Sequence, residues 1–252
     1  MTKEYVLVHG AAHGAWCWDD VRKRLEARGH RVVAPDLPGH ARRAPDARAA
    51  TSASYAREVA GVMAREGVSR GIVVGHSLGG IVIAKLAELV PARIAHLVFL
   101  AAIVPAHGKS LAESFMPEPA REALRGMARG RGDGTFLHPA AVAWSRWIGD
   151  LPPGDPAVGR ALASLTPQSL RPFVELLDLR LFYSMQIPRT VIRCVHDRAL
   201  PPDRCAEGAA RLGVTPIDLE TSHDAMLTAP EELTGLLDRI PHATRRSEWT
   251  RH

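Results

Sequence analysis

Cysteine is scarce in this 252-residue sequence: Cys17, Cys194 and Cys205 are an odd number with no C-x-x-C spacing. Neither a disulfide framework nor a zinc site follows from them, and a reducing cytoplasmic setting fits best. Runs of about 18 apolar residues are missing, and Met1-Thr2-Lys3-Glu4 leads into a strand-like segment without an apolar stretch. Neither secretion nor membrane spanning is therefore expected. Lysine is nearly absent, at four of the 32 basic residues, so the formal charge of +5 rests on arginine spread along the chain. A nucleic-acid-binding tract would cluster that charge. Arg42 with Arg43, Arg129 with Arg131, and Arg245 with Arg246 are the nearest approaches to clusters, and each reads as solvated surface. Internal repeats and low-complexity tracts are absent.

What is present is a hydrophobic fraction of 46%, enough for one sizeable core. Abundant Ala, Arg, Gly and Pro points to a GC-rich bacterial genome. Apolar, β-branched runs occur at Tyr5 to Val8, Arg31 to Ala34, Gly71 to Val74, Leu97 to Leu100, Thr190 to Val195 and Thr215 to Leu219. Between them lie helical patterns, Trp18 to Arg28 before Gly29 and Ser54 to Arg65 before Gly67, each glycine placed as a C-cap would be. This alternation predicts an α/β fold with a mostly parallel sheet flanked by helices. A last helix is expected from near Ser222 to Ile240.

Strand signals stop between Pro105 and Ile187, where Pro- and Gly-rich breakers separate short helical pieces. The expected organisation is a core of residues 1–104 and 188–241, a helical cap inserted over 105–187, and a frayed tail over 242–252.

Gly75-His76-Ser77-Leu78-Gly79 follows the apolar run Ile72-Val73-Val74 and opens the helix-like stretch from Ile81. A serine on a tight strand-to-helix turn is lifted clear of the sheet, with flanking glycines admitting backbone angles that a Cβ would block. A hydroxyl needs a base, and the base needs a third group to hold its tautomer. Asp197 stands just after the strand ending at Val195, and His223 just after the one ending at Leu219. All three fall at the carboxyl edge of the sheet, in the chain order serine, acid, histidine. Asp203 competes as the acid, and His196 and the remaining histidines read as ordinary residues. Asp224 reads as a cap of the final helix.

The negative charge of a tetrahedral intermediate needs fixed donors. The backbone N–H of Leu78, at a helix start, is one candidate, and that of Ala11, in the loop His9 to Trp16, is the second. His9 and His13 are expected to shape that loop, and Asp36 to orient a neighbouring one. No metal or organic cofactor is implied.

Together, Val6-Leu7-Val8-His9-Gly10-Ala11-Ala12-His13-Gly14-Ala15-Trp16-Cys17-Trp18, Gly75 to Gly80, and His223-Asp224-Ala225-Met226-Leu227 resemble the α/β-hydrolase family that contains plant methyl esterases and hydroxynitrile lyases. The resemblance implies the α/β-hydrolase fold with an inserted helical cap, Ser77, Asp197 and His223 as catalytic residues, and Ala11 and Leu78 as oxyanion donors. The lyase branch carries threonine at the position of Gly10, cysteine at Leu78 and lysine at Asp224; an acid in place of that ammonium would oppose departing cyanide. The expected activity is hydrolysis of a small carboxylic ester with an apolar part, such as a methyl ester. The same triad also serves acid/base chemistry, epoxide opening, cyclisation or acyl transfer in natural-product tailoring, and the fold serves small-molecule receptors.

Overall fold

The computed structural model describes residues 2–43 and 50–241. The expected tail over 242–252, with Arg245 and Arg246, lies outside the described residues. Six strands form the main sheet: β1 (Glu4–Val8), β2 (Arg31–Val33), β3 (Gly71–His76), β4 (Ile94–Leu100), β7 (Arg189–Cys194) and β8 (Ile217–Leu219). Their order is β2-β1-β3-β4-β7-β8, and every neighbouring pair is parallel.

Burial on both faces explains the unbroken apolar runs of the inner strands. Val6 and Val8 of β1, Val73 of β3, and Leu97 and Phe99 of β4 enter one core. Their neighbours Tyr5, Leu7, Ile72, Val74, Val98 and Leu100 enter the other. Helices α2 (Ser52–Arg65) and α3 (Gly79–Leu89) fill the first core through residues such as Tyr55, Met63 and Ile81. Helices α1 (Asp19–Ala27) and α12 (Pro230–Arg239) fill the second through Leu25 and Leu237. The first helix starts later than the periodicity predicts, because Ala15–Trp18 forms a 3₁₀ turn ahead of it. Helix α2 starts earlier, with the Thr51 side chain accepting from the Ser54 amide at 3.0 Å.

Between β4 and β7 no strand joins the main sheet. The chain passes through α4 (Leu111–Phe115), α5 (Glu118–Arg131), β5 (Thr135–Phe136), α6 (Ala140–Trp147), α7 (Pro156–Ser164), β6 (Gln168–Ser169), α8 (Arg171–Val174) and α9 (Arg180–Ser184). Strands β5 and β6 pair with each other, antiparallel. Helix α10 (Pro202–Arg211) separates β7 from β8.

The final helix departs from expectation. Residues 222–224 form no helix; α11 (Ala225–Thr228) is a single turn, and α12 starts afresh at Pro230. Proline lacks the amide that would continue α11 and disfavours helical geometry in the residue before it; Ala229 accordingly sits at φ −145, ψ 53. His223 is thereby carried on a loop.

The chain leaves β1 toward one side of the sheet and returns to β3 on the other, so a crevice opens at the carboxyl ends of those two strands. There β3, α3 and β1 approach closely. A Cβ on Gly75 would stand 2.5 Å from the Gly79 carbonyl oxygen, and one on Gly79 would stand 2.8 Å from that of Val8. Gly75→Ala is therefore expected to lower the unfolding free energy by about 1–3 kcal/mol, the usual cost of overpacking. Gly130→Ala, in helix α5 with no atom beyond its chain neighbours and its own helix backbone within 4 Å of the new methyl, should change it by less than ~1 kcal/mol, and toward stability. Urea unfolding of both variants checks the contrast.

Candidate active site

Ser77 occupies the turn between β3 and α3 at φ 51, in the left-handed region that non-glycine residues rarely enter. Its amide donates to the Leu100 carbonyl at 3.0 Å, which ties the turn to β4. The flanking glycines do not supply the unusual backbone angle expected of them. Neither Gly75 nor Gly79 has a positive φ; Ser77 takes the strained conformation itself, and the glycines give the room that makes it possible.

Ser77, His223, Ala11 and Leu78 line one cleft. Asp197 reaches it through His223, whose Nδ1–H donates to Asp197 Oδ2 at 2.6 Å. The other carboxylate oxygen, Oδ1, accepts from the amides of Ala199 at 2.7 Å and Leu200 at 2.8 Å. Three hydrogen bonds thus fix a buried acid beside the imidazole. The competing Asp203 lies exposed in the first turn of α10, and His196 is exposed beside Asp150 and Glu220. Burial depresses the pKa of His223, but the charge of Asp197 and its hydrogen bond outweigh this and hold it above the ordinary histidine value.

The amides of Ala11 and Leu78 donate to no protein acceptor among the described residues. His9 is completely buried; its Nε2 accepts from the Leu37 amide at 3.0 Å, so Nδ1 carries the proton and donates to the Gly10 carbonyl at 2.8 Å. That carbonyl belongs to the peptide whose nitrogen is Ala11, so His9 orients the candidate donor and polarises its N–H. The next amide, Ala12, is turned to Gln168 Oε1 at 3.3 Å, and the Ala12 carbonyl accepts from Thr166 at 2.8 Å. Asp36 holds the end of the same loop, accepting from the Ala15 amide at 2.7 Å.

Asp224 does not act as the helix cap expected of it. It stands at the N-cap of α11 without a side-chain capping bond. Its Oδ2 instead accepts from His13 Nε2 at 2.9 Å, with both side chains almost fully buried. His13 Nδ1 donates to the Ala11 carbonyl at 2.7 Å. Both ring nitrogens face acceptors, which only an imidazolium satisfies, and the ring stacks on Trp16 at a centroid distance of 5.4 Å. Burial opposes this charge; the carboxylate of Asp224 and the Ala11 carbonyl overcome it, so the pKa of His13 is raised and that of Asp224 lowered. Nothing in sequence spacing could reveal this pair, whose members are 211 residues apart.

His76 also lines the cleft. Burial, then the neighbouring His223, push its pKa well down, and its Nε2–H donates to the His223 carbonyl at 3.1 Å. His76, His223 and Asp224 offer ligand atoms within 4.8 Å of one another.

The alpha/beta hydrolase family profile matches residues 5–236 of this chain. The chain belongs to the alpha/beta hydrolase family. Among curated relatives, a carbendazim-hydrolysing esterase of a Nocardioides species is 43% identical over 108 residues, covering 42% of this chain and 45% of the relative. Salicylic acid-binding protein 2 of Nicotiana tabacum is 32% identical over 265 aligned positions, covering 95% and 97%. The match to the Nocardioides enzyme, like those to several plant esterases, spans less than half the relative's length. Among solved structures, an extracellular alpha/beta-hydrolase of a Paenibacillus species superposes with a TM-score of 0.86 at 26% identity, over 93% of this chain and 97% of the other. The chain thus resembles plant methylesterases and bacterial esterases.

Asp224→Ala strands the His13 charge and is expected to cost about 3–5 kcal/mol of stability near pH 5.5. The raised His13 pKa contributes stability that is complete below its ordinary value of 6.5 and is lost as pH rises through the folded-state value. The lowered Asp224 pKa contributes stability that is complete above 3.8 and is lost on acidification. The deficit of the variant should therefore be largest between those values and shrink in alkali. Urea unfolding of both proteins near pH 5.5 and near pH 9 measures it; equal deficits would contradict a charged pair.

Proposed function

We propose that this protein is a serine esterase that cleaves a small carboxylic ester through an acyl-enzyme. The observation that carries the reading is the His223–Asp197 hydrogen bond of 2.6 Å behind a cleft that His223 shares with the strained Ser77. In this reading Ser77 Oγ attacks the ester carbonyl while His223 Nε2 takes the hydroxyl proton. Asp197 holds Nδ1 protonated and stabilises the imidazolium that forms. The amides of Leu78 and Ala11 receive the oxyanion, Leu78 from the start of α3 and Ala11 from the peptide held by His9. His223 then protonates the departing alkoxide, and a water activated by the same imidazole releases the acid.

The segment over 105–187 acts as a cap in this reading. It supplies much of the apolar wall, including Phe115, Leu124, Phe136 and Phe173, which suits a substrate with an apolar body. The names of the relatives support ester hydrolysis in general, and their differing substrates leave the ester to be found. Among the described residues no helix is long and apolar enough to cross a membrane. The three cysteines are free and buried, which favours a reducing cytoplasm as the working compartment.

Ser77→Ala should abolish turnover of p-nitrophenyl acetate, and a fluorophosphonate should add one phosphonyl group to Ser77, read by mass spectrometry. Asp197→Asn should lower kcat by about 10³–10⁴-fold, as loss of the tautomer-holding acid does elsewhere. Because the His223 pKa is raised, kcat/KM should climb with pH through a midpoint above 6.5. Undiminished turnover by Ser77→Ala would refute the acyl-enzyme.

A further inference from the structure

Arg146 stands in the wall of the cleft that holds Ser77 and His223, in the last turn of α6 and directly before Trp147. Its one described hydrogen bond is a long one, from Nε to the Arg198 carbonyl at 3.4 Å. Among the described residues, no carboxylate lies within 4 Å of its guanidinium.

The other charges around the cleft are matched. His13 is paired with Asp224, and Asp197 with His223. His76 is held neutral by burial. His138, also in the wall, is pushed down to about 4 by burial and then by Arg146 itself, so it is neutral as well. The remaining wall is largely apolar, with Leu111, Phe115, Met116, Phe136 and Phe173 among its side chains. An arginine that is half-buried in such a wall keeps its donors for a partner from outside the protein. The planar fork of its guanidinium matches a carboxylate in two parallel hydrogen bonds.

We propose that Arg146 forms an anion subsite and that the substrates are esters with a compact apolar or aromatic body bearing one carboxylate. This rests on the esterase reading of the same cleft. The carboxylate pairs with Arg146 while the ester carbonyl meets Ser77. Charge-assisted hydrogen bonds in a partly dry pocket predict a preference of about 10- to 100-fold over a neutral isostere.

Two matched pairs of aryl esters test it: 4-carboxyphenyl acetate against 4-carbamoylphenyl acetate, and monomethyl terephthalate against methyl 4-carbamoylbenzoate. The first pair puts the charge on the leaving group and the second on the acyl group. In the wild-type protein kcat/KM should favour the carboxylate in at least one pair, and Arg146→Gln should cut that ratio about tenfold or more, with Arg146→Lys retaining part of it. Binding is read separately, by titrating the indole fluorescence of Ser77→Ala with 4-methylbenzoate and 4-methylbenzamide, with and without Arg146→Gln. A ratio that Arg146→Gln leaves unchanged in both pairs, together with equal binding of acid and amide, overturns the subsite. Binding that discriminates by charge and needs Arg146, without turnover of any ester, supports the subsite and overturns the esterase reading.

Discussion

The close approach of β1, β3 and α3 at Ser77 is the constraint on which the rest depends. A serine held at φ 51 costs of order 1–3 kcal/mol, and such strain persists only where the surroundings over-determine it. Here α3 is buried along most of its length, with Ile81, Val82, Ile83 and Leu86 all at 0% exposure. Each such side chain contributes roughly 1.5–3 kcal/mol on burial, so the helix anchors the turn with energy to spare. The same tightness brings the β1 loop against the turn: a Cβ on Gly10 would stand 2.8 Å from His76 Nδ1 and 3.0 Å from Ser77 Cβ. The two candidate oxyanion amides belong to these two abutting segments. Their relation is set by backbone packing rather than by flexible side chains.

Around that junction, the buried imidazoles of His9, His13, His76 and His223 sit close together in different states. A cluster of cations would be too costly in a dry interior, and the fold avoids it by giving each ring different partners. His9 receives an amide proton and must be neutral. His76 meets a backbone carbonyl and, with burial dominating, is neutral too. His13 meets two acceptors and is charged, and its charge is cancelled locally by Asp224. His223 alone is poised to change state, because its second nitrogen faces the cleft rather than a structural partner in the proposed mechanism. The anion that sequence reasoning set against cyanide release is thus already engaged, and the cleft feels an ion pair rather than a bare carboxylate.

Much of this was legible in the sequence because it follows from local signals. The strands read as apolar runs because both faces of the sheet are covered, and the helix ends at Gly29 and Gly67 read from the glycines, which do take positive φ. The elbow, Asp197 and His223 read from position alone, each at the carboxyl end of a strand. What stayed hidden depends on contacts that chain order does not encode. The last helix reads as one piece from near Ser222 to Ile240, and Pro230 splits it. The partner of Asp224 could be found only once the β1 loop and the β8 loop were side by side. Arg146 reads as one of many scattered arginines until the fold puts it in the wall of the cleft.

The inserted segment does more than wall the cleft. Gln168 of β6 accepts from the Ala12 amide through Oε1, accepts there from His40 Nε2 at 2.7 Å, and donates through Nε2 to Tyr55 Oη at 3.1 Å. Its donation to the Ser169 carbonyl fixes which way the amide points. Thr166 closes the grip by donating to the Ala12 carbonyl. With both polar groups of Ala12 engaged from the inserted segment, the neighbouring Ala11 amide is left as the donor that faces the cleft. Residues that line the cleft, such as Phe136 and Phe173, therefore share a stretch of chain with residues that hold the β1 loop. In the proposed mechanism this couples the cleft wall to the candidate oxyanion amide of Ala11, and a swap of the segment that removed Gln168 would loosen the loop whatever ester the new wall admitted.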